Sequence, residues 1–193
     1  GIIGVLLSVT LIIIMSIAVV REREKGTLEQ LIVTPINRTS LMLGKVVPFI
    51  LVGYVQVTVI LLLGLLVFDV PLRGSLAALL LLSAVFMVPA LGQGLLISSV
   101  TRNQFLAAQI ALFSGFLPAF MLSGFLYEID AMPAPIRAIT WLIPARYFVS
   151  SLKTVFLAGD VWAAFVPNLL AMGVIGALLF LLAKRATRKN LEA

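Results

Sequence analysis

Long apolar stretches constrain the fold of this chain more than any other feature of its sequence. Residues 2–20 contain no charged side chain, and a helix of that length measures roughly 28 Å, about one hydrocarbon core. The chain is 62% hydrophobic and 11% charged, whereas soluble domains are about 25% charged. The sequence therefore predicts an all-α integral membrane protein, with one transmembrane domain over residues 1–193. Its five predicted spans are about 2–20, 46–68, 75–100, 105–125 and 163–183.

The most charged run, residues 21–35, lies between the first two predicted spans. Thr27 and Gln30 have the spacing of a capping box, and Gly26 allows the chain to turn just before it. Pro35 disfavours helical geometry at the preceding residue. We therefore predict a short amphipathic helix over about 22–34. It is either a surface for a partner protein or a loop helix that rests on lipid headgroups.

Residues 127–160 differ from the spans because they mix prolines and charges with many aromatic side chains. Such a segment is too polar to cross a bilayer and too apolar to float free of it. We predict a re-entrant or interfacial hairpin of short helices, with Trp141, Tyr147 and Trp162 near the headgroups. Its ionisable residues are expected either to form ion pairs that shape a gate or to carry structural charge at the lipid boundary; they include Glu128, Asp130, Arg137 and Arg146.

The basic residues indicate the orientation, because five spans force the loops to alternate sides. Ten Lys and Arg residues fall on the side of residues 21–45 and the C-terminal tail, and four fall on the other side. The positive-inside rule places the larger set in the cytoplasm, so the predicted hairpin is external. Gly1 is then outside without a visible signal peptide, and we expect at least one earlier span upstream.

Several functions are excluded by residues that the sequence lacks. The 193 residues contain no Cys and no His, which removes disulfides, Cys- or His-ligated metals and Ser-His or Cys-His catalysis. They contain no Gly-x-x-x-x-Gly-Lys-Ser/Thr phosphate loop, so these residues do not themselves hydrolyse ATP. The basic residues flank apolar spans, which argues against nucleic acid as a partner. We predict no catalytic residue, no metal ligand and no cofactor in the chain.

Small and polar residues within the spans indicate how the helices pack. Ala107, Ala111 and Gly115 lie four residues apart, and Gly173 and Ala177 repeat this spacing, which permits close helix contact inside one subunit or at a dimer seam. Polar side chains at membrane depth usually face protein or a cavity. The predicted spans contain three glutamines, Gln56, Gln93 and Gln109. We expect them to form interhelical hydrogen bonds or to line a substrate path.

A bend is predicted in the third span, where Pro89 precedes Gly92 and Gly94. Proline frees a backbone carbonyl and glycine tolerates bending, so this segment is either a hinge or a static kink.

Two blocks of sequence resemble the ABC-type export permeases of the type-two class, and the resemblance extends from Val20 to Gly159. The first block contains Glu22-Arg23-Glu24, Gly26-Thr27, Glu29, Leu31, Thr34-Pro35, Gly44-Lys45 and Pro48. The second contains Leu122-Ser123-Gly124-Phe125, Met132-Pro133, Pro144, Arg146-Tyr147-Phe148, Leu157 and Gly159. The chain departs from the family pattern at Leu126-Tyr127-Glu128 and at Arg137, which affects only the hairpin.

The resemblance implies a permease of six spans, whose first span and large external domain would precede Gly1. It implies a homo- or heterodimer of membrane subunits with ABC ATP-binding subunits on the cytoplasmic face, which bind ATP and Mg. The family's coupling helix would fall on Glu22 to Thr34. The implied coupling residues are Glu22, Arg23, Glu24, Lys25, Gly26, Thr27, Glu29, Gln30, Thr34 and Pro35. The implied gate residues are Leu122, Ser123, Gly124, Phe125, Met132, Pro133, Pro144, Arg146 and Tyr147.

These observations together predict the permease subunit of an ATP-driven exporter in a bacterial inner membrane, in contact with membrane lipids. Its expected cargo is hydrophobic or amphipathic, drug- or lipid-like, because the predicted spans contain no ionisable residue for ion coupling. A motor-independent channel or secondary carrier is the alternative. An intramembrane hydrolase would need paired aspartates or a Ser-Lys dyad; its candidates are Asp69, Asp130, Asp160, Ser151 and Lys153, all outside the predicted spans.

Overall fold

The computed structural model describes residues 2–25, 33, 35, 37–101, 103–124 and 126–192, and these form helices joined by short turns. The long helices are α1 (Ile2–Glu24), α2 (Arg38–Leu66) and α3 (Leu76–Val100). A fourth helical rod consists of α4 (Gln104–Ala111), a π-helical turn (Leu112–Phe116) and α5 (Leu117–Met121). A 3₁₀ turn (Ile129–Ala131), α6 (Ala134–Thr140), α7 (Pro144–Leu157) and α8 (Trp162–Glu192) complete the described chain.

Four helices of the described chain are long and apolar enough to cross a membrane. They are Leu43–Leu66, Leu76–Val100, Gln104–Met121 and Trp162–Ala186. They correspond to four of the five predicted spans, so the all-helical membrane architecture is confirmed. The remaining predicted span, residues 2–20, forms α1, which is helical throughout but is not among these four.

Several predicted boundaries are corrected by the structure. Helix α2 begins at Arg38 with Asn37 as its N-cap, ahead of the predicted start of the span at residue 46, and it continues through Pro48. Helix α8 continues into the basic tail because Lys, Arg and Glu are good helix formers. The fourth span ends at Met121 rather than residue 125, and Gly124 follows it with a φ of 86°, in the left-handed region that favours glycine.

Helix α3 lies at the centre of the fold and packs most extensively against α8 and α1. Most of its side chains are buried, and those of Phe86 and Met87 are fully buried. The ring of Phe86 stacks on that of Phe148 in α7, with centroids 4.2 Å apart and planes within 3°. By contrast, α2 and α8 expose many large apolar side chains. A central helix that contacts α1, α2, α4, α7 and α8 is suited to pass movement between the two ends of the molecule.

Glycines allow the closest helix contacts around α3. A Cβ atom built on Gly94 would lie 2.7 Å from the Met15 Cβ and 3.0 Å from the Ile12 carbonyl oxygen of α1. A Cβ atom on Gly176 of α8 would lie 2.8 Å from Val88 Cγ1 and 3.1 Å from the Pro89 backbone nitrogen. Real Cβ atoms essentially never lie within 3.0 Å of another atom, so the distances of 2.7 and 2.8 Å show that these two contacts depend on glycine.

The two small-residue motifs have different environments. Ala107, Ala111 and Gly115 are buried, and Gly115 faces Ile12 of α1, which confirms packing within the chain for this motif. A Cβ atom built on Gly173 would have no neighbour within 4 Å, and Ala177 is exposed. Packing within the chain is therefore wrong for the second motif, and it is Gly176 that makes the close contact of α8.

Helix α3 continues without interruption through Pro89. Gly92 packs against Leu179 and Phe180 of α8, and Gly94 packs against α1, so both glycines serve close packing. The hinge at this segment stays a prediction.

Candidate functional site

The end of α1 corrects the predicted start of the coupling helix at Glu22. Helix α1 runs to Glu24, so Glu22 and Glu24 lie in its last turn. The residues from Arg21 to Glu24 are all favourable in helices, and Gly26 is the first residue of low helix propensity. Lys25 follows as an exposed turn residue, and Pro35 is exposed at a bend. The other predicted coupling residues lie outside the described residues: Gly26, Thr27, Glu29, Gln30 and Thr34.

Glu22 and Glu24 join the end of α1 to two other helices. Glu22 forms a salt bridge with Lys45 of α2. The carboxylate of Glu24 accepts two hydrogen bonds from Gln104, the first residue of α4, one from the backbone nitrogen at 3.2 Å and one from Nε2 at 2.6 Å. We call these four residues the α1 clasp. It holds three helices together at the end of α1, where the coupling helix was predicted to start.

Sequence reasoning missed the α1 clasp. Glu22 and Glu24 were assigned to a partner protein, whereas the structure engages both within the chain. The partners are 23 and 80 residues away in sequence, so no local spacing signals them.

The opposite end of the bundle brings two predicted external segments together. The Gly74 nitrogen donates to the Val155 carbonyl at 2.8 Å, and the Ser75 nitrogen donates to Asp160 Oδ1 at 2.8 Å. The turn after α2 therefore contacts the end of α7 at one end of the bundle, and the α1 clasp lies at the opposite end. This grouping agrees with the alternation of loops that the five predicted spans require.

The predicted gate residues lie along the path from α5 to α7. The Gly124 carbonyl accepts from Lys153 Nζ at 2.7 Å, which ties this turn to α7, and the buried Ser123 hydroxyl donates to the Ala119 carbonyl. Leu122 and Met132 are half-buried, Pro133 is exposed before α6, and Pro144 begins α7. Phe125 lies outside the described residues.

Helix α7 runs alongside the first half of α3 in the opposite direction. Its C-terminal end contacts Gly74, just before α3 begins, whereas Phe148 stacks on Phe86. Phe86 is ten residues into α3, or about 15 Å along it. Arg146 precedes Phe148 and therefore lies still further from the loop end, near the level of the middle of α3.

Arg146 is held by neighbours in its own segment. Its Nη1 donates to Thr140 Oγ1 at 2.6 Å, and the guanidinium carbon lies 4.2 Å from the centre of the Trp141 ring. The Tyr147 hydroxyl donates to the Trp141 carbonyl at 2.6 Å, which fixes the turn. The predicted ion pairs of Glu128, Asp130, Arg137 and Arg146 are wrong for these described side chains. Hydrogen bonding and ring stacking take their place at Arg146.

Two of the three glutamines in the spans form the predicted interhelical hydrogen bonds. Gln56 Nε2 donates to Thr10 Oγ1 at 3.0 Å and so joins α2 to α1. Gln93 Nε2 donates to the Ser114 carbonyl at 3.2 Å; Pro118, four residues later, has no N–H to donate to that carbonyl. Gln109 is exposed, and no described residue bonds to its side chain.

A cavity of about 20 Å³ lies beside Gln93 and Ser114 and is also lined by Pro118, Ile143 and Pro144. This volume is sufficient for about one water molecule. It is too small for a drug- or lipid-like molecule, so the substrate-path interpretation of Gln93 has no support within this chain.

Comparison with known proteins identifies the family. Residues 1–184 match the family described as "ABC-2 family transporter protein". "Probable multidrug ABC transporter permease YbhS" of Escherichia coli K12 is 46% identical over 181 residues, covering 94% of this chain and 48% of that relative. "Probable multidrug ABC transporter permease YbhR" of the same organism is 32% identical over 189 residues, covering 96% and 51%. "Inner membrane transport permease YhhJ", also from this organism, is 27% identical over 194 residues, covering 99% and 52%.

The chain thus spans about half the length of the curated relatives it matches. No solved structure matches it. The family match covers all but the last nine residues and includes both the α1 clasp and the hairpin of α6 and α7. The chain therefore belongs to the ABC-2 family of transporter proteins.

Proposed function

We propose that the chain is the membrane part of a permease subunit of an ATP-driven ABC exporter in a bacterial inner membrane. The family match and the three relatives, two named as multidrug permeases and one as an inner membrane permease, support this function. The cargo we propose is a hydrophobic or amphipathic, drug- or lipid-like molecule, which leaves the cytoplasm or the inner leaflet.

Five spans form the proposed membrane domain, with α1 as the fifth. Helix α1 has 23 residues and measures roughly 34 Å, enough to cross a hydrocarbon core. Its buried side chains include Leu11, Met15 and Ser16, which pack inside the bundle. The charge bias of the loops supports placing the α1 clasp in the cytoplasm and the hairpin of α6 and α7 outside.

The single observation that carries the proposal is the α1 clasp. A separate ATP-binding subunit would push on the coupling helix, which follows α1 directly in the chain. Because Glu22 holds Lys45 of α2 and Glu24 holds Gln104 of α4, displacement of the end of α1 moves three helices together. ATP and Mg are bound by that partner, because these 193 residues contain no phosphate loop.

The hairpin of α6 and α7 is the proposed outer gate. Movement of α1 reaches it through α3, which packs against both α1 and α7. Lys153 ties α7 to the turn after α5, so the gate and the fourth rod move as one unit. A second permease subunit, identical or homologous, would complete the path between the two membrane domains.

The first prediction separates an ATP-driven permease from a channel or secondary carrier. The full-length protein is expected to co-purify with an ABC ATP-binding subunit, and the reconstituted pair is expected to show ATPase activity that a transported amphiphile stimulates. The matched control is the same pair with the phosphate-loop Lys of the ATP-binding subunit replaced, which should bind the permease but neither hydrolyse ATP nor export. Transport by the permease alone in ATP-free vesicles would instead establish a motor-independent carrier.

A further inference from the structure

Arg146 is a cation at a depth where charges are costly. The stacking of Phe148 on Phe86 places this part of α7 beside the middle of α3, one of the four apolar helices that can cross a membrane. Ionisable side chains at membrane depth are rare, and they normally pair with another group or face a water-filled cavity. The partner of Arg146 therefore requires identification.

No carboxylate among the described residues supplies this partner. Asp160 accepts from the Ser75 nitrogen at the loop end of α7, and Glu128 and Asp130 are exposed in and next to the 3₁₀ turn without an ion pair to Arg146. Among the described residues, the Arg146 guanidinium donates one side-chain hydrogen bond, to the Thr140 hydroxyl. A guanidinium has five N–H donors in a fixed fork, which matches the geometry of a phosphate or carboxylate.

The guanidinium is nevertheless held in place. The Trp141 ring supports one face of it at 4.2 Å, and Thr140 is itself oriented by donating to the Arg137 carbonyl at 2.6 Å. A cation with few remaining rotamers loses little entropy when it binds a ligand. This arrangement is that of a prepared anion site rather than of a solvated surface charge.

Apolar side chains that neighbour this site in the chain are exposed. Trp141 is 59% exposed and Leu142, next to it, is 75% exposed, while Ile139 precedes them with 55%. A ligand that approaches Arg146 therefore meets an apolar surface directly beside the charge. The arrangement matches an amphiphile, a molecule with an anionic head and a hydrocarbon body.

We propose that Arg146, Thr140 and Trp141 form a binding site for the phosphate or carboxylate head of an anionic amphiphile, at membrane depth in the hairpin of α6 and α7. Arg146 binds the head group through its free N–H fork, and Trp141 and Leu142 contact the hydrocarbon part. The site rests on the proposed function for its cargo: it selects anionic amphiphiles among the molecules that the exporter would carry. Two sources share this chemistry, a cargo molecule and a bilayer phospholipid.

The test measures binding to the full-length protein in detergent without its ATP-binding subunit, so that it does not depend on the proposed transport function. Native mass spectrometry would follow titrations with dodecyl phosphate and with 1-dodecylglycerol, which has the same chain length and no charge. Arg146→Gln is expected to weaken dodecyl phosphate binding about tenfold or more, as expected for loss of hydrogen bonds to a charged group, and to leave dodecylglycerol unchanged. Arg137→Gln, in the same segment, is the matched control and should bind both probes as the wild type does.

Two further variants keep the test decisive if Arg146→Gln does not fold. Arg146→Lys retains the charge but loses the planar fork, and Trp141→Leu retains an apolar side chain but loses the stacking ring. Both should weaken dodecyl phosphate binding selectively. Equal loss of the charged and the neutral probe, or no loss of either, would overturn the proposal.

Measurements on the assembled transporter distinguish a cargo molecule from a bilayer phospholipid as the source of the amphiphile. Dodecyl phosphate that stimulates the ATPase of the wild type but not of Arg146→Gln identifies a cargo site. Phosphatidylglycerol that stays bound to the purified wild type, is lost from Arg146→Gln and has no effect on the ATPase identifies a lipid site. A transporter without ATPase activity would contradict the proposed function. The anion site would still be tested by the binding measurement, which does not depend on the ATPase.

Discussion

Gly176→Ala is expected to destabilise the protein, whereas Gly173→Ala, one turn earlier in the same helix, is expected not to. The added methyl group at Gly176 would lie 2.8 Å from Val88 Cγ1 and 3.1 Å from the Pro89 nitrogen. Val88 has a stiff β-branched side chain and the nitrogen is backbone, so neither can yield without moving α3 against α8. Overpacking of this kind costs about 1–3 kcal/mol.

The measurement is the unfolding midpoint of the full-length protein in detergent. Nothing lies within 4 Å of a Cβ atom at Gly173, and alanine there should add about 0.5–1 kcal/mol of helix stability relative to glycine. Gly94→Ala should behave as Gly176→Ala does, because Met15 Cβ and the Ile12 carbonyl oxygen block its methyl group. Equal midpoints for Gly176→Ala and Gly173→Ala would show that α3 and α8 are not packed as described.

The double variant Glu24→Ala/Glu29→Ala is expected to abolish most of the export while the protein still inserts into the membrane. Glu24 loses both of its hydrogen bonds to Gln104, so α1 no longer holds the start of α4. Glu29 is a further acidic residue of the predicted coupling helix, and the contact that we propose for it with the ATP-binding subunit would be lost. The measurement compares export with ATP hydrolysis in reconstituted vesicles.

Gln104→Ala distinguishes the two roles that Glu24 can have. It removes the side-chain donor at 2.6 Å but keeps both the Glu24 carboxylate and the backbone N–H donor. If Glu24 acts through the α1 clasp, Gln104→Ala should lower export partially without weakening the binding of the ATP-binding subunit. Full export in Gln104→Ala together with weak subunit binding in Glu24→Ala would assign Glu24 to the partner surface instead. Unchanged export in the double variant would rule out both roles of Glu24, the one in the α1 clasp and the one at the partner surface.

The positions of the spans were predictable because hydrocarbon accepts a backbone only when its hydrogen bonds are satisfied locally. Apolar stretches such as residues 75–100 therefore had to become helices, and the structure differs from the prediction there only at the ends. The π-helical turn at Leu112–Phe116 was not predicted; the Ser114 carbonyl within it accepts from Gln93 of another helix, a contact that no local pattern in the sequence records.

The candidate sites were predictable in part. Arg146 was identified as a residue of the hairpin, but it was expected either to form an ion pair that shapes a gate or to carry structural charge at the lipid boundary. Its hydropathy context could have indicated greater depth, since Pro144 and Phe148 flank it in an apolar stretch. Its depth depends on the stacking of Phe148 on Phe86, which are 62 residues apart, and no periodicity in the sequence records that contact.

The sequence alone determined that this chain is a helical membrane protein with charged segments at the ends of its spans, because length, hydropathy and charge act locally along the chain. Only the tertiary structure decided which side chains meet. Glu24 reaches Gln104 across 80 residues, and Gly94 and Gly176 are needed only where α1 and α8 press on α3. Such contacts depend on how helices of nearly uniform apolar surface are arranged, and uniform apolar sequence does not specify that arrangement.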